Sequence, residues 1–450
     1  MKRFFGTDGI RGRANEAPLD PVTLIEIGAV LGRLMRERGG IDGGILIGHD
    51  GRRSAAMIFG ALSAGLCAEG VEVFDGGLLT TPALAHETRL GNYKAGIIIS
   101  ASHNPAHDNG IKIFGENGQK ISDSIEHAIE EQLATAVDAV RGRPGIVHRI
   151  ERSTGGEAHE YRRFLKKTFH DVDLRGMRVL VDCAHGGGSS SAPTILREFG
   201  ATVVVRNDAP TGDNINDRCG STHLESLQRA VLKDGADVGF AFDGDADRCL
   251  AVDHEGNVVD GDQIMAVLAL SMKDSGRLVK DTVVATVMSN LGFVHAMKSA
   301  GIGVRQTKVG DRYVLEAMRV SGYSLGGEQS GHVIMSEHAT TGDGVLTALH
   351  VLERMAATRS GLRELASVVT RLPQVLVNVP DVDKSRADDD PVVAAAVAEE
   401  EAALGDSGRI LLRPSGTENL VRVMVEAGTE EDARSVAGRL ADVVKRQLAL

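Results

Sequence analysis

The stretch Ala95-Gly-Ile-Ile-Ile-Ser-Ala-Ser-His-Asn-Pro105 passes from an apolar run directly into a polar turn. A short apolar run rich in β-branched residues and bounded by turn formers reads as a buried strand. Upstream of it, Asp20-Pro21 opens a helix to about residue 38, with proline at a favoured first-turn position. A strand follows at 45–48, a helix at 54–69, a strand at 71–74, a Gly-Gly-Leu-Leu-Thr-Thr-Pro turn and another helix. Strand and helix alternating at this spacing predict a mostly parallel sheet covered by helices.

The cycle recurs twice. Strands at 178–181, 202–205 and 237–242 frame a glycine-rich turn, His185-Gly-Gly-Gly188, and a helix, and strands at 282–287, 303–307 and 323–325 frame two more helices. In each cycle the most polar glycine-rich loop follows a strand, and in open α/β sheets ligands bind at the carboxyl ends of strands. Three such loops could therefore face one cleft. The last ~80 residues differ, with strands at 374–379, 409–412 and 421–425, an Ala/Glu-rich helix and a final helix from Glu430. Hairpin-like strands with helices set apart predict a smaller α+β domain. The expected division is 1–153, 154–254 and 255–370 as three similar α/β domains, and 371–450 as the fourth.

Composition narrows the function. The chain of 450 residues carries a formal net charge of −12, which argues against a nucleic-acid surface. Its 54 glycines exceed the usual ~7% and cluster beside polar residues, as in loops that approach ligands. The four cysteines, Cys67, Cys183, Cys219 and Cys249, form no Cys-x-x-Cys pair, so neither a disulfide framework nor a zinc site is expected. The N-terminal residues turn polar before an apolar core can form, and no later run reaches ~18 apolar residues, so a cytoplasmic location is expected.

Four loops carry candidate chemistry. Ser102, flanked by Ser100, His103 and Asn104, is either a polar strand end or a nucleophile, and a serine needs a base or metal to act. Asp243-Gly-Asp-Ala-Asp-Arg248 sets three carboxylates at alternate positions around a small-residue turn. Arg248 and His254 stand where a calcium loop would need glycine and glutamate, so the triplet suits Mg²⁺ with positions left open for a phosphate oxygen. Glu328-Gln-Ser-Gly-His332 offers closely spaced donors and acceptors, as a polyhydroxylated sugar requires, although a plain turn has similar composition. Arg413-Pro-Ser-Gly-Thr-Glu-Asn419, with Arg422 behind it, suits a phosphoester. No Walker A sequence and no Gly-Lys dipeptide occur, which leaves nucleoside triphosphate chemistry unsupported. The Gly322-Tyr-Ser-Leu-Gly326 match to a nucleophile elbow lacks the strand before and helix after that the motif needs. Lys112 and Arg11 are candidate cations near the Ser102 turn.

Taken together, Thr81-Pro82, Ala101-Ser-His-Asn-Pro105, Asp243-Gly-Asp-Ala-Asp-Arg248, Gly327-Glu-Gln-Ser-Gly-His332 and Arg413-Pro-Ser-Gly-Thr-Glu-Asn419 resemble, in order and from end to end, the α-D-phosphohexomutase superfamily. Gly6-Thr-Asp-Gly-Ile-Arg-Gly12, Gln329 and the Gly310-Asp311 pair are similar to its glucosamine branch rather than to its glucose and mannose branch. The resemblance implies four domains around a central cleft, a phosphate carried on Ser102, and one Mg²⁺ held by Asp243, Asp245, Asp247 and a phosphoserine oxygen.

It further implies that Glu328, Ser330 and His332 grip sugar hydroxyls, and that Arg413, Ser415, Gly416, Thr417 and Arg422 hold the non-reacting phosphate. Arg11, His103, Lys112 and Arg248 remain candidates for proton transfer and charge neutralisation. The implied activity is interconversion of glucosamine 6-phosphate and glucosamine 1-phosphate, with a glucosamine or glucose 1,6-bisphosphate activator, feeding UDP-N-acetylglucosamine and cell-wall precursors. The C-terminal domain would close over the ligand to exclude water. A monomer or homodimer is expected, without nucleic-acid or membrane partners. A mutase of the glucose or mannose branch, or a non-catalytic sugar-phosphate sensor, are the alternatives.

Overall fold

The computed structural model describes residues 4–6, 8–38, 40–133, 143–150, 159–387, 389–415 and 419–450. These form two compact units, one of residues 1–288 and 302–368, the other of residues 289–301 and 369–450.

The larger unit holds three mixed sheets. In the first, Ile45–His49 lies between Ala95–Ile99 and Val73–Leu78 with both neighbours parallel, and Val147–Arg149 extends the parallel side. On the other side Asp108–Gly115 runs antiparallel to Ala95–Ile99, followed by Gly9–Arg13 and Phe5–Gly6. The second sheet places Arg178–Asp182 between parallel Val238–Phe242 and Thr202–Arg206, then adds antiparallel Cys249–Asp253 and Val258–Val259. The third sets Thr282–Thr286 between parallel Gly303–Thr307 and Leu325–Gly327, closed by antiparallel Val333–Met335.

One arrangement therefore recurs. A parallel strand ends, a polar turn reverses the chain, and an antiparallel strand returns beside it. The three turns are those of Ser102, Asp243–Asp247 and Glu328–Ser330, so each candidate chemical loop in this unit is the hairpin connection at the carboxyl end of a buried strand.

Alternation predicted the parallel strands apart from the short, largely exposed Val147–Arg149, but not these antiparallel partners, because strands such as Asp108–Gly115 contain Asp, Asn, Gly and Lys. In the glycine-rich N-terminal segment, Phe5–Gly6 pairs antiparallel with Gly9–Arg13, an edge that apolar alternation does not signal. Gly9 permits it, with φ +81° and an imagined Cβ only 2.3 Å from the Ile111 carbonyl oxygen. The strand expected at 71–74 begins at Val73 and runs through Gly76 and Gly77, because the ladder with Ile45–His49 continues across a register shift there.

The smaller unit is a three-stranded antiparallel sheet, ordered Gln374–Pro380, Leu420–Glu426, Arg409–Pro414. Its core is Val379, Val421, Val423 and Val425 against Ala433, Val436, Ala437, Leu440 and Val444 of the helix Glu430–Gln447. Arg413 and Pro414, expected in a loop, are the end of a strand. The helix Leu291–Ser299 belongs to this unit, where Glu426 accepts hydrogen bonds from the Leu291 amide at 2.9 Å and the Asn290 side chain at 3.2 Å.

Close contact constrains two helices of the larger unit. Helices Pro21–Arg38 and Ala55–Ala68 approach so nearly that a Cβ on Gly65 would lie 2.0 Å from the Ile25 carbonyl oxygen and 2.7 Å from the Ala29 nitrogen. Gly65→Ala gains at most ~1 kcal/mol in helix propensity but loses about 1–3 kcal/mol to overpacking against backbone. A net loss of stability is expected in urea denaturation; an unchanged or raised midpoint would contradict it.

Candidate active site

The Ser102 turn is built tightly and locally. Ser102 is buried, with φ +52°, a left-handed conformation uncommon outside glycine. Its amide donates to Ser100 Oγ at 2.8 Å, and the Asn104 amide donates to the Ala101 carbonyl at 3.0 Å. With the backbone turned this way, Ser102 Oγ donates to Asp243 Oδ2 at 2.5 Å and lies 3.2 Å from His103 Nδ1. Burial pushes the His103 imidazole down to about 4, with Arg248 and Arg11 adding to the effect. It is neutral at physiological pH.

Asp243, Asp245 and Asp247 present carboxylate oxygens within 4.8 Å of one another, the one such group among the described residues. Ala246, with φ +54°, turns the loop, and a Cβ on Gly244 would lie 2.6 Å from the Ser102 carbonyl oxygen, so glycine there lets the two loops meet. Asp245 Oδ2 accepts from Thr81 Oγ1 at 2.5 Å and from Lys112 Nζ at 3.0 Å. Lys112 Nζ also lies 3.0 Å from Asp247 Oδ2 and from Asp8 Oδ2. Burial alone would lower the Lys112 pKa, but the carboxylates around it raise it well above the ordinary lysine value.

Burial likewise works against ionisation of Asp247, yet Lys112, His332 and Arg248 hold its carboxyl at about 2. Asp243 goes the other way: burial, then repulsion from Asp247 and Asp245, raises it well above the carboxylate range.

The donor set fits a hard divalent cation. Asp245 Oδ1 and Asp247 Oδ1 are buried and have no hydrogen-bond partner, with Arg248 Nε 4.0 Å from Asp247 Oδ1. Orphaned buried carboxylate oxygens require compensation. Together with Asp243 and the adjacent seryl oxygen they make an all-oxygen set suited to Mg²⁺.

The third loop is tied to the second, since the Cys249 amide donates to the Gly331 carbonyl at 3.0 Å. Glu328 Oε1 accepts from the Gly310 amide at 3.0 Å. The Gly342 amide donates to His332 Nε2 at 3.2 Å, which puts the proton of a neutral ring on Nδ1. That Nδ1 and Ser330 Oγ are buried without protein partners, leaving polar groups for a ligand. Beside them Lys120 Nζ bridges Asp8 and Asp311, the latter at 2.5 Å, and Arg11 pairs with Asp8.

In the smaller unit, Arg413 stands directly opposite Arg422 across the ladder, on one face of the sheet. Like charges in this position repel unless an anion lies near them. Ser415 is held by its amide donating to the Leu420 carbonyl at 2.9 Å and by Lys384 Nζ donating to its carbonyl at 2.7 Å. Gly416 and Thr417 lie outside the described residues.

Ser102, His103, Lys112, Arg11, Arg248, the aspartate triplet, Glu328, Ser330 and His332 all belong to the larger unit, where hydrogen bonds and ion pairs tie most of them into one network. Sequence reasoning missed Asp8, Arg52, Lys120, Asn216 and Lys384. Asp8 had a signal, being a carboxylate three residues before Arg11 in a glycine-rich segment; the isolated Arg52, Lys120, Asn216 and Lys384 had none.

The chain matches four family models: phosphoglucomutase/phosphomannomutase alpha/beta/alpha domain I over 2–139, domain II over 159–256, domain III over 260–372, and the C-terminal domain over 376–443. The chain belongs to the phosphoglucomutase/phosphomannomutase family of the α-D-phosphohexomutase superfamily, and so to the isomerases that act as phosphomutases. Among its curated relatives, a phosphoglucosamine mutase of Nocardioides sp. is 61% identical over 453 aligned positions covering 100% of both chains. One from Arthrobacter sp. is 52% identical, covering 100% of this chain and 99% of its own.

Solved structures show the same fold. A family protein from Burkholderia thailandensis matches with TM-score 0.79 at 21% identity, covering 99% of this chain and 97% of the other. Aspergillus fumigatus N-acetylphosphoglucosamine mutase, in complex with GlcNAc-6P and magnesium, matches with TM-score 0.69 at 20% identity over 98% and 95%.

Two outcomes follow from the electrostatics. Lys112→Met leaves buried Asp245 and Asp247 and partly buried Asp8 without their shared ammonium, and removing one partner of such a cluster costs about 3–5 kcal/mol. Urea denaturation without added divalent cation should show a loss of that order, and wild-type stability would refute it. Asp343, whose two oxygens accept from the buried Tyr161 hydroxyl at 2.8 and 2.9 Å, is pushed up to about 6 by burial. Its folded pKa exceeds the unfolded one, so the folded state holds the extra proton and stability falls as pH rises from about 4 to about 6. Asp343→Asn does not titrate, and its stability relative to wild type should improve by about 3 kcal/mol across that window. Parallel stability–pH curves would contradict the assignment.

Proposed function

We propose that this chain interconverts glucosamine 6-phosphate and glucosamine 1-phosphate through a phosphorylated Ser102. The observation that carries the chemistry is the 2.5 Å approach of Ser102 Oγ to Asp243, beside two carboxylate oxygens without hydrogen-bond partners. The full-length relatives named phosphoglucosamine mutase support the choice of sugar.

The proposed step is a balanced transfer. The phosphoryl group leaves the seryl oxygen, its P–O bond breaking as one forms to the free sugar hydroxyl, whose proton departs. The resulting bisphosphate turns round, and its other phosphoryl group returns to Ser102 Oγ. When bound, Mg²⁺ supplies charge neutralisation on the transferring oxygens.

The chain's own residues divide the remaining work. Lys112 is held charged by three carboxylates, so it neutralises charge and does not take protons. Arg11 and Arg248 are likewise raised and remain cations. His103, unprotonated and 3.2 Å from Ser102 Oγ, is the group placed to accept a proton, and its pKa of about 4 makes it a weak base there. Glu328, Ser330 and the Nδ1 proton of His332 address sugar hydroxyls, and Arg413, Arg422, Ser415 and the loop of Gly416 and Thr417 take the idle phosphate.

We assign four functional domains, 1–153, 154–254, 255–370 and 371–450, and a bisphosphate activator to this scheme. No helix among the described residues is long and apolar enough to cross a membrane. A cytoplasmic supply of amino-sugar phosphate for cell-wall precursors is the setting we propose.

A coupled assay with catalytic glucosamine 1,6-bisphosphate and Mg²⁺ tests this reading. Among the 6-phosphates of glucosamine, glucose and mannose, kcat/KM should be highest for glucosamine. Ser102→Ala should lose about 10³-fold or more in kcat, and intact-mass measurement should place a phosphate on wild-type Ser102. A preference for glucose or mannose would move the chain to that branch. Binding without turnover would make it a sensor, and full activity in Ser102→Ala would remove the phosphoserine.

A further inference from the structure

The Ser102 turn is gripped from outside by two side chains that take no part in the scheme above. Arg52 is the largest fully buried side chain among the described residues, and its guanidinium is spent on the turn. Nε donates to Asp50 Oδ2 at 2.9 Å, Nη1 to the carbonyls of Asp108 at 2.9 Å and of Pro105, and Nη2 to those of Ser102 at 2.9 Å and Asn104 at 2.8 Å. Asn216 approaches from the second sheet's loops and gives its Nδ2 to the same Ser102 and Asn104 carbonyls, at 2.9 and 3.2 Å.

The Ser102 carbonyl thus accepts from a guanidinium and an amide at once. On the inner side, Ser100 Oγ donates to Asp50 Oδ2 at 2.6 Å while accepting from the Ser102 amide, which closes a ring of bonds around one residue. That residue holds an unfavourable φ of +52°. Backbone in such a conformation persists only when its surroundings over-determine it.

We propose that Arg52 and Asn216 are positioning residues for phosphoryl transfer: by fixing the Ser102 and Asn104 carbonyls they aim the seryl oxygen at the Asp243 loop. The inference rests on Ser102 being the phosphoryl carrier. Buried, the guanidinium needs acceptors for all five of its N–H donors, and only Nε takes the Asp50 carboxylate. Here the four other donor contacts converge on the backbone of the turn, and Asn216 duplicates two of them from a different sheet. Rotation of the Ser102 peptide would redirect Oγ without disturbing the sheets on either side.

The test compares Asn216→Ala and Arg52→Lys, which keeps the charge but cannot span four carbonyls, with wild type on glucosamine 6-phosphate. A misplaced seryl oxygen should lower kcat by about 100-fold with KM within about twofold, in protein that remains folded by thermal melting. The rate at which added bisphosphate phosphorylates Ser102, followed by intact mass, should fall in step. Should Arg52→Lys fail to fold, Asn216→Ala decides alone. Wild-type kcat in Asn216→Ala, or a loss of activity that merely tracks the folded fraction, overturns the proposal. Full activity in Ser102→Ala would instead overturn the carrier itself. An inactive Ser102→Ala beside a fully active Asn216→Ala would sink only the positioning role.

Discussion

The larger unit is assembled around one buried ammonium. Lys112 Nζ lies 3.0 Å from carboxylate oxygens of Asp8, Asp245 and Asp247, which come from the first hairpin and from the loop of another sheet. Burying an unpaired charge is costly, so the ammonium and the carboxylates each depend on the other. Asp243 adds a fourth carboxylate to this cluster, and burial with repulsion from Asp247 and Asp245 raises its pKa. Arg11, Lys120 and Arg248 offset part of the negative charge, and a divalent cation held by the aspartate triplet would neutralise more of it.

The three α/β sheets meet this requirement with one device. Each ends a buried parallel strand in a turn and brings the chain back antiparallel, so the turn is short, anchored at both ends and unable to drift. Glycines at the contacts allow backbone to meet backbone: Gly244 faces the Ser102 carbonyl, and a Cβ on Gly331 would lie 2.4 Å from the Cys249 carbonyl oxygen. Groups placed on such hairpins are held more firmly than groups on long loops. The smaller unit uses a related economy, since Arg413 and Arg422 are opposed by strand register and not by loop conformation.

Much of this was legible in the chain. Local apolar runs and their spacing marked the parallel strands, and the third-sheet strand Gly303–Thr307 lies where alternation put it. The aspartates at alternate positions announced a convergent carboxylate turn, because the spacing of residues in a tight turn determines which side chains face together. Ser102, by contrast, was ambiguous until Asp243 was known to touch it.

What the sequence determined by itself is what local backbone physics governs: strand and helix alternation, the turn chemistry of glycine, and the identity of groups able to bind metal, sugar and phosphate. What only the tertiary structure decided depends on contacts between residues far apart. Asp108–Gly115 became a strand because Ala95–Ile99 offered unpaired backbone groups, overriding its weak β propensity. Lys112 and Arg52 are types that normally sit at the surface, and no local pattern separates a buried cation from an exposed one. Their burial is stable only because distant carboxylates and carbonyls converge on them, and that convergence is a property of the folded chain.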